Sequence, residues 1–354
     1  MNKHTARQGK KGLMAGVLSA CIALTACGGG GGGSATNTAP TSPGDNPDAP
    51  PLLTPPVTQG LTEENYIQVA AFSFLGGLFF DFEQNPQSVN SAGPDAAFFL
   101  VALAADCESG SADFGVNMPG GIVSMVGDSF SLDHSDCVMT FPDDGSQERT
   151  NGRFSGEITR RTGSAGAPFT ATLLLNNSNN FTIEALTGED AGFITTIEGQ
   201  LQIDTEGDTV TDTSMITSAD YTVTTTSAAG ERLIFESPVS AINRRDMSNN
   251  TFTTEVDYTL SLLSAITDGT FVVDTTTPFL GIGGMVALDA EGDVIPQPIS
   301  GALTITDSNG AVVTLTAMTD GVSAEISLDL DGDTVADVSQ IITYEVLDAV
   351  LEAF

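Results

Sequence analysis

Leu303-Thr-Ile-Thr306 and Val313-Thr-Leu-Thr316, separated by a turn signal at Ser308-Asn309-Gly310, alternate apolar and hydroxyl side chains without a break. A period of two puts every second side chain on one face, which is the pattern of a strand with one buried and one wet surface. Asn-Gly between two such runs predicts a hairpin. The same alternation recurs in Phe154-Ser-Gly-Glu-Ile158, Phe181-Thr-Ile-Glu-Ala185 and Tyr221-Thr-Val-Thr-Thr225. Further turn signals stand at Asn176–Asn180, Ala229-Gly230, Asp268-Gly269 and Asp320-Gly321. From Gly121 to Tyr344 the chain therefore reads as mainly β, a long antiparallel meander of about a dozen strands without crossover helices. An open curved sheet, a closed barrel and a sandwich all satisfy this pattern.

The flanks read differently. Residues 61–106 hold seven of the nineteen phenylalanines. Thr62, followed by Glu63 and Glu64, predicts a helix N-cap, and Tyr66, Val69, Ala70, Phe74 and Leu78 then recur at helical spacing. The apolar run from Ala70 to Phe80 is too short to span a bilayer. A second helix is expected from Pro94 through Phe98, Phe99 and Leu103. At the other end, Leu347, Val350, Leu351 and Phe354 predict a short C-terminal helix. A transmembrane barrel needs an alternating closing strand and two aromatic girdles, and this chain has no Trp and only four Tyr. That class is rejected, and residues 107–354 are assigned to one antiparallel β domain.

Residues 1–26 carry Lys3, Arg7, Lys10 and Lys11 ahead of an apolar run from Leu13 to Ala26, the layout of a secretory signal. Leu24-Thr25-Ala26-Cys27 then matches the lipobox of bacterial lipoproteins. That resemblance implies cleavage before Cys27, lipidation of its thiol, and a membrane partner reached through the N-terminal lipid anchor. Residues 27–60, polyglycine followed by a Pro-, Thr- and Ser-rich run, cannot bury a core and read as a tether. Gly28 stands where enteric lipoproteins carry the Asp that retains them at the inner membrane, so the resemblance implies the outer membrane, in either leaflet. The lipobox and Gly tether, the Cys107/Cys137 pair, and strands such as Gly301-Ala-Leu-Thr-Ile-Thr ending in an Asp-Gly-Asp hairpin together resemble β-rich envelope lipoproteins of Gram-negative bacteria.

Without residues 1–26 the chain has seven arginines, no lysine and 46 acids, a net charge of −39. Nucleic acid is excluded as a partner, because a phosphate backbone requires a basic face. Anionic lipid is likewise repelled, leaving the acyl chains to anchor the protein. Cys21 leaves with the signal and Cys27 carries lipid, so Cys107 and Cys137 remain in an oxidising compartment and are expected to pair.

The most specific internal signal is a repeat. LQIDTEGDTVTDTSMIT (201–217) aligns without gaps to ISLDLDGDTVADVSQII (326–342), and Leu288-Asp-Ala-Glu-Gly-Asp293 begins a third copy. The C-terminal copy resembles the calcium loops of thrombospondin type 3 repeats and, more loosely, those of EF-hands and dockerins. Calcium takes six to eight oxygens, which acids at alternate positions of a tight loop supply. Asp329, Asp331, Asp333 and Asp337, with the Val335 carbonyl, are the candidate calcium ligands. Asp204, Glu206, Asp208 and Asp212 are their counterparts in the first copy. Thr334 replaces the second Gly of such loops, and Gln340 replaces the bidentate Glu of an EF-hand. An acidic turn between two strands is the competing interpretation.

Catalytic patterns are sparse. One histidine, His134, remains after the signal, and the absence of lysine removes Schiff-base designs. Gly127-Asp128-Ser129 resembles the nucleophile block of GDSL-type esterases, but the α/β context and the C-terminal DxxH of that family are missing. The expectation is a non-catalytic outer-membrane or surface lipoprotein acting as a binding or scaffold module for a protein, glycan or lipid, with calcium stiffening its hairpins. The alternatives are a lipid or lipoprotein carrier with a curved sheet, and a hydrolase of envelope polymers or polysaccharide.

Overall fold

The computed structural model describes residues 60–79, 107–117, 126–140, 145–163, 168–188, 190–208, 210–282, 286–288 and 294–351. The signal, Cys27 and the tether, the helix expected from Pro94 to Leu103, and residues 289–293 of the third repeat copy lie outside them. The elements are α1 (Tyr66–Phe79), β1 (Ser109–Asn117), β2 (Ser129–Thr140), β3 (Gln147–Thr162), β4 (Phe169–Ala185), β5 (Ile194–Gly207), β6 (Thr211–Ser218), β7 (Thr222–Thr226), β8 (Arg232–Asp246), β9 (Thr251–Leu263), β10 (Asp268–Ile282), β11 (Val286–Leu288), β12 (Val294–Pro296), β13 (Ser300–Asp307), β14 (Val312–Ala317), β15 (Ser323–Asp329), β16 (Val338–Thr343) and α2 (Tyr344–Leu351).

Fourteen strands form one antiparallel sheet in chain order from β1 to β16. β6 and β7 lie end to end, both bridging β5 to β8. β11 and β12 form a separate hairpin between β10 and β13. β1 and β16 end the order without pairing with each other, so the sheet is open and not a closed barrel. Among the described residues no helix is long and apolar enough to cross a membrane.

Alternation sets the faces. In β13, Gly301, Leu303, Ile305 and Asp307 are buried while the residues between them are half-exposed. Register carries the inner face from strand to strand: Ile305 opposes Val313, and Val313 opposes Leu328. The turns at Gly230, Gly310 and Gly321 fall where Gly and Asn predicted them. Two turn expectations are corrected. Asn176–Asn180 is a bulge inside the seventeen-residue β4, with Asn180 at φ 45°. Bulges draw on the same residues as turns, because Asn tolerates the left-handed region. Asp268-Gly269 opens β10, and the turn lies just before it, closed by Ser264 and Thr267.

α1 is the centre of the fold. The predicted cap is present: Asn65 N–H donates to Thr62 Oγ1 at 3.3 Å and Thr62 N–H donates back to Asn65 Oδ1 at 2.9 Å. This reciprocal box holds one turn, and the regular helix starts at Tyr66. Helical spacing singled out Val69, Ala70 and Phe74, and every residue from Val69 to Phe74 is at most 2% exposed. Six consecutive residues at 100° steps point in all directions, so the helix is surrounded. It packs on β9, β13, β14, β15 and α2. Gly76 permits the approach to β8, since a Cβ there would stand 2.2 Å from the Phe235 ring. Tyr258 on β9 donates its hydroxyl to the Ser73 carbonyl. Phe74 lies 5.2 Å from the Phe279 ring and stacks at 5.5 Å on Tyr344, the first residue of α2. Asp307 ties the helix approach to the β13–β14 turn, accepting from the N–H groups of Leu61 at 2.8 Å, Asn309 at 2.8 Å and Ala311 at 3.0 Å. The sheet is thus an open, curved wrap around an apolar helix.

Candidate functional site

Asp329 is the last residue of β15, and the ladder opens after Leu328 pairs with Val338. The loop that follows turns at Gly332 (φ 71°) and at Thr334 (φ 72°). Thr334 thus takes the left-handed conformation for which calcium loops use Gly, which is costly for a β-branched residue. Asp329 Oδ1 accepts from Gly332 N–H at 2.8 Å and its Oδ2 from Thr334 N–H at 2.7 Å. Asp331 and Asp333 each accept from the N–H two residues on, at 3.2 and 2.8 Å. Carboxylate oxygens of these three residues lie within 4.8 Å of one another. Asp337 is not part of that group; its carboxylate accepts from Leu330 N–H at 2.8 Å. Val335 is exposed.

The first copy of the repeat folds otherwise. Its ladder continues to Gly207 opposite Asp212, leaving a short turn in which Asp208 Oδ1 accepts from Val210 and Thr211 N–H groups at 2.7 and 2.9 Å. These bonds hold the Asp208 carboxyl below its usual range. Asp204 is drawn into the sheet, taking Thr172 Oγ1 at 2.5 Å and Gln202 Nε2 at 2.6 Å. Glu206 is exposed, and the Asp212 side chain lies outside the description. Asp204 and Asp208 therefore serve different local structures.

Cys107 and Cys137 form the expected disulfide, with Cα atoms 5.2 Å apart, joining the approach to β1 to β2. Beside it sits His134, 3% exposed and 5.8 Å from the Phe181 ring. Thr150 Oγ1 donates to the Cys137 carbonyl at 3.4 Å and so accepts from His134 Nδ1–H at 2.5 Å. Nε2 is then a bare acceptor, buried without a donor. Burial holds the imidazole below its ordinary pKa against the opposing charge of Asp133. Ser129 opens β2 five residues earlier and faces the other side of the sheet, so the two cannot act together. Elsewhere, burial and the neighbouring Asp257 push the Asp274 carboxyl upward.

One feature was not legible in the sequence. The outer face of β1–β4 carries a cleft of about 460 Å³. Its floor is a row of residues directly opposite one another: Gly115, Ser131, Ser155 and Asn176. Two positions along the strands, Ser129, Glu157 and Leu174 form a second row. Arg153 lines the other side. Only cross-strand register brings these residues together, and one sequence read alone does not give register between distant strands. No protein-family model matches this chain, and neither a curated protein nor a solved structure was found to be similar to it.

Proposed function

We propose that this chain is a non-catalytic lipoprotein of the Gram-negative envelope, anchored in the outer membrane through Cys27, and that it binds its partner on the outer face of its sheet. The observation that carries this reading is the burial of α1 on every side. A carrier would have to shelter an acyl chain against the concave face, and there the protein's own phenylalanines and Tyr258 already pack. The outer face supplies the polar cleft instead. The hydrolase reading has less support, since His134 is buried inward with no carboxylate bonded to its ring among the described residues, and Ser129 faces outward. Calcium bound by Asp329, Asp331 and Asp333 would stiffen the β15–β16 loop. It would neutralise carboxylates that otherwise repel one another.

The test has two arms. Palmitate should label the parent and not Cys27→Ser, which should accumulate as precursor at the inner membrane; label persisting in the variant overturns the anchor. Solvent extraction of the purified parent, followed by mass spectrometry, should find no stoichiometric non-covalent lipid. Finding one would replace the binding module with the carrier.

A further inference from the structure

Resting on the binding-module reading, and going beyond it to the ligand, we propose that the β1–β4 cleft is a binding site for a neutral glycan. The floor crosses the strands: Gly115 opposes Ser131, Ser131 opposes Ser155, and Ser155 opposes Asn176. Three interstrand spacings of about 4.8 Å make this floor roughly 14 Å long, room for a few sugar units end to end. Gly and Ser keep it low, which is why a cleft of about 460 Å³ stands on the surface of a sheet.

Its chemistry matches hydroxyl groups. Ser129 and Ser131 both donate and accept, as does the Asn176 amide, while Ser155, whose hydroxyl donates to the Asn176 carbonyl at 3.3 Å, offers its oxygen as an acceptor. A polyol presents the same dual character at every carbon. Arg153 and Glu157 supply one charge of each sign, which leaves the cleft itself uncharged. Around it the chain without residues 1–26 carries −39, so an anionic polymer is repelled before contact. Leu174 offers an apolar patch to the C–H face of a sugar ring.

An extended peptide fits less well. Peptides that add to sheets pair their main chain with a free strand edge. Across this floor the strands β2, β3 and β4 pair with neighbours on both sides, so the sheet edge is met only at the β1 end, beside Gly115. Side chains alone face the ligand, and they lie across the strand direction. No aromatic platform stands among the lining side chains that face out, so affinity rests on hydrogen bonds that compete with water, and a Kd of roughly 1 mM is expected.

The experiment titrates the full lipidated chain in neutral detergent with cellotetraose, maltotetraose, laminaritetraose and chitotetraose by ligand-observed NMR, up to about 10 mM, ten times the expected Kd. At least one should bind saturably. Ser155→Leu, which raises the floor, and Asn176→Ala, which removes its end, should each weaken that sugar about tenfold without lowering the melting temperature of the fold. Two variants at opposite strands guard against one of them misfolding. Absence of binding by all four sugars overturns the proposal, as does binding that both variants leave intact. A neutral Ser-Gly peptide that binds in a Ser155-dependent way overturns it in favour of a peptide site. Palmitate labelling and the lipid extraction decide the parent reading without any sugar, so the two can fail separately.

Discussion

The strands β5 to β16 and the strands β1 to β4 belong to one sheet, yet they are held in different ways. From β5 onward the inner face shares a single core with α1 and α2, in which Phe74, Tyr258, Phe279 and Tyr344 meet. Over β1–β4 the inner face breaks into small clusters, Phe130 with Leu132, Phe181 with Ile183, and Ile158 with the partly buried Phe114 and Leu173. These are linked by ring contacts between Phe130, Phe154 and Phe181 at 6.1 and 6.4 Å and braced by the disulfide. A helix inside a curved sheet yields a contiguous core, whereas a sheet beyond the reach of that helix depends on covalent and local contacts. Stability should be graded accordingly, and the polar cleft lies on the less deeply packed part.

The sharpest way to break this contrast is to empty the helix-filled part. Phe74→Ala removes a ring that touches two others in a fully buried site and should cost about 3–5 kcal/mol. Chemical denaturation should report the loss as a cooperative shift, and hydrogen exchange should show lowered protection in β9, β10 and β13–β15 together. If only α1 loses protection, the helix is a lid and not the core.

The converse test removes the brace. Cys107→Ser with Cys137→Ser reopens a loop of thirty residues and should cost on the order of 3–4 kcal/mol in the chain-entropy model. The loss should appear first as faster exchange in β1 and β2, with β13–β15 unchanged. Uniform loss across the sheet would erase the distinction between its two parts.

His134 sharpens the same point through pH. Its folded-state pKa lies below the ordinary 6.5 because burial disfavours the imidazolium. The unfolded chain therefore binds more protons once pH falls below about 6.5, so the stability that neutral His134 contributes is present above that value. It is lost as pH falls toward the folded pKa. Carboxylates titrate mostly below about pH 5, which leaves a window between 5 and 6.5 for the histidine. Urea unfolding at both ends of that window should show a larger loss for the parent than for His134→Asn. Equal losses would mean that protonation reaches Nε2 without opening β2–β3.

How much was legible follows from the range of each signal. Alternation in Leu303–Thr306 and Val313–Thr316 is local, and it gave antiparallel strands and inner faces correctly. The Thr62 cap and Leu347 in α2 were local too, and Leu347 is fully buried. Tyr66, Val69, Ala70 and Phe74 marked the helix because periodicity picks out its most apolar stripe. It does not say that Ser73 and Gly76 will also be enclosed, which depends on Phe235 and Tyr258 far along the chain. Openness of the sheet is a global property of register and curvature. The cleft depends on Ser131, Ser155 and Asn176 standing in line, which no local pattern encodes. The two copies of the repeat align without gaps in sequence, yet they diverge in structure because one ladder zips to Gly207 and the other opens after Leu328.

That divergence gives the smallest and most exacting test. With a charge of −39 outside residues 1–26, any cation relieves self-repulsion, so a rise in melting temperature on adding calcium does not identify a site. A site must discriminate. Asp329, Asp331 and Asp333 present oxygens within 4.8 Å of one another, a spacing that a large, irregular oxygen shell tolerates. Magnesium demands a tighter octahedron and keeps its waters, yet it screens almost as well. At a calcium concentration equal to a millimolar Kd, specific binding adds only about 0.4 kcal/mol, so the comparison must be made at equal ionic strength. Calcium should then stabilise the parent more than magnesium does, and Asp331→Asn with Asp333→Asn should abolish the difference. Asp208→Asn in the first copy should leave it intact, because Asp204 there is bonded to Thr172 and Gln202 and contributes nothing to the turn. If magnesium matches calcium on the parent, or if the double variant keeps the calcium preference, the C-terminal copy is an acidic turn like the first, and the two differ only in length.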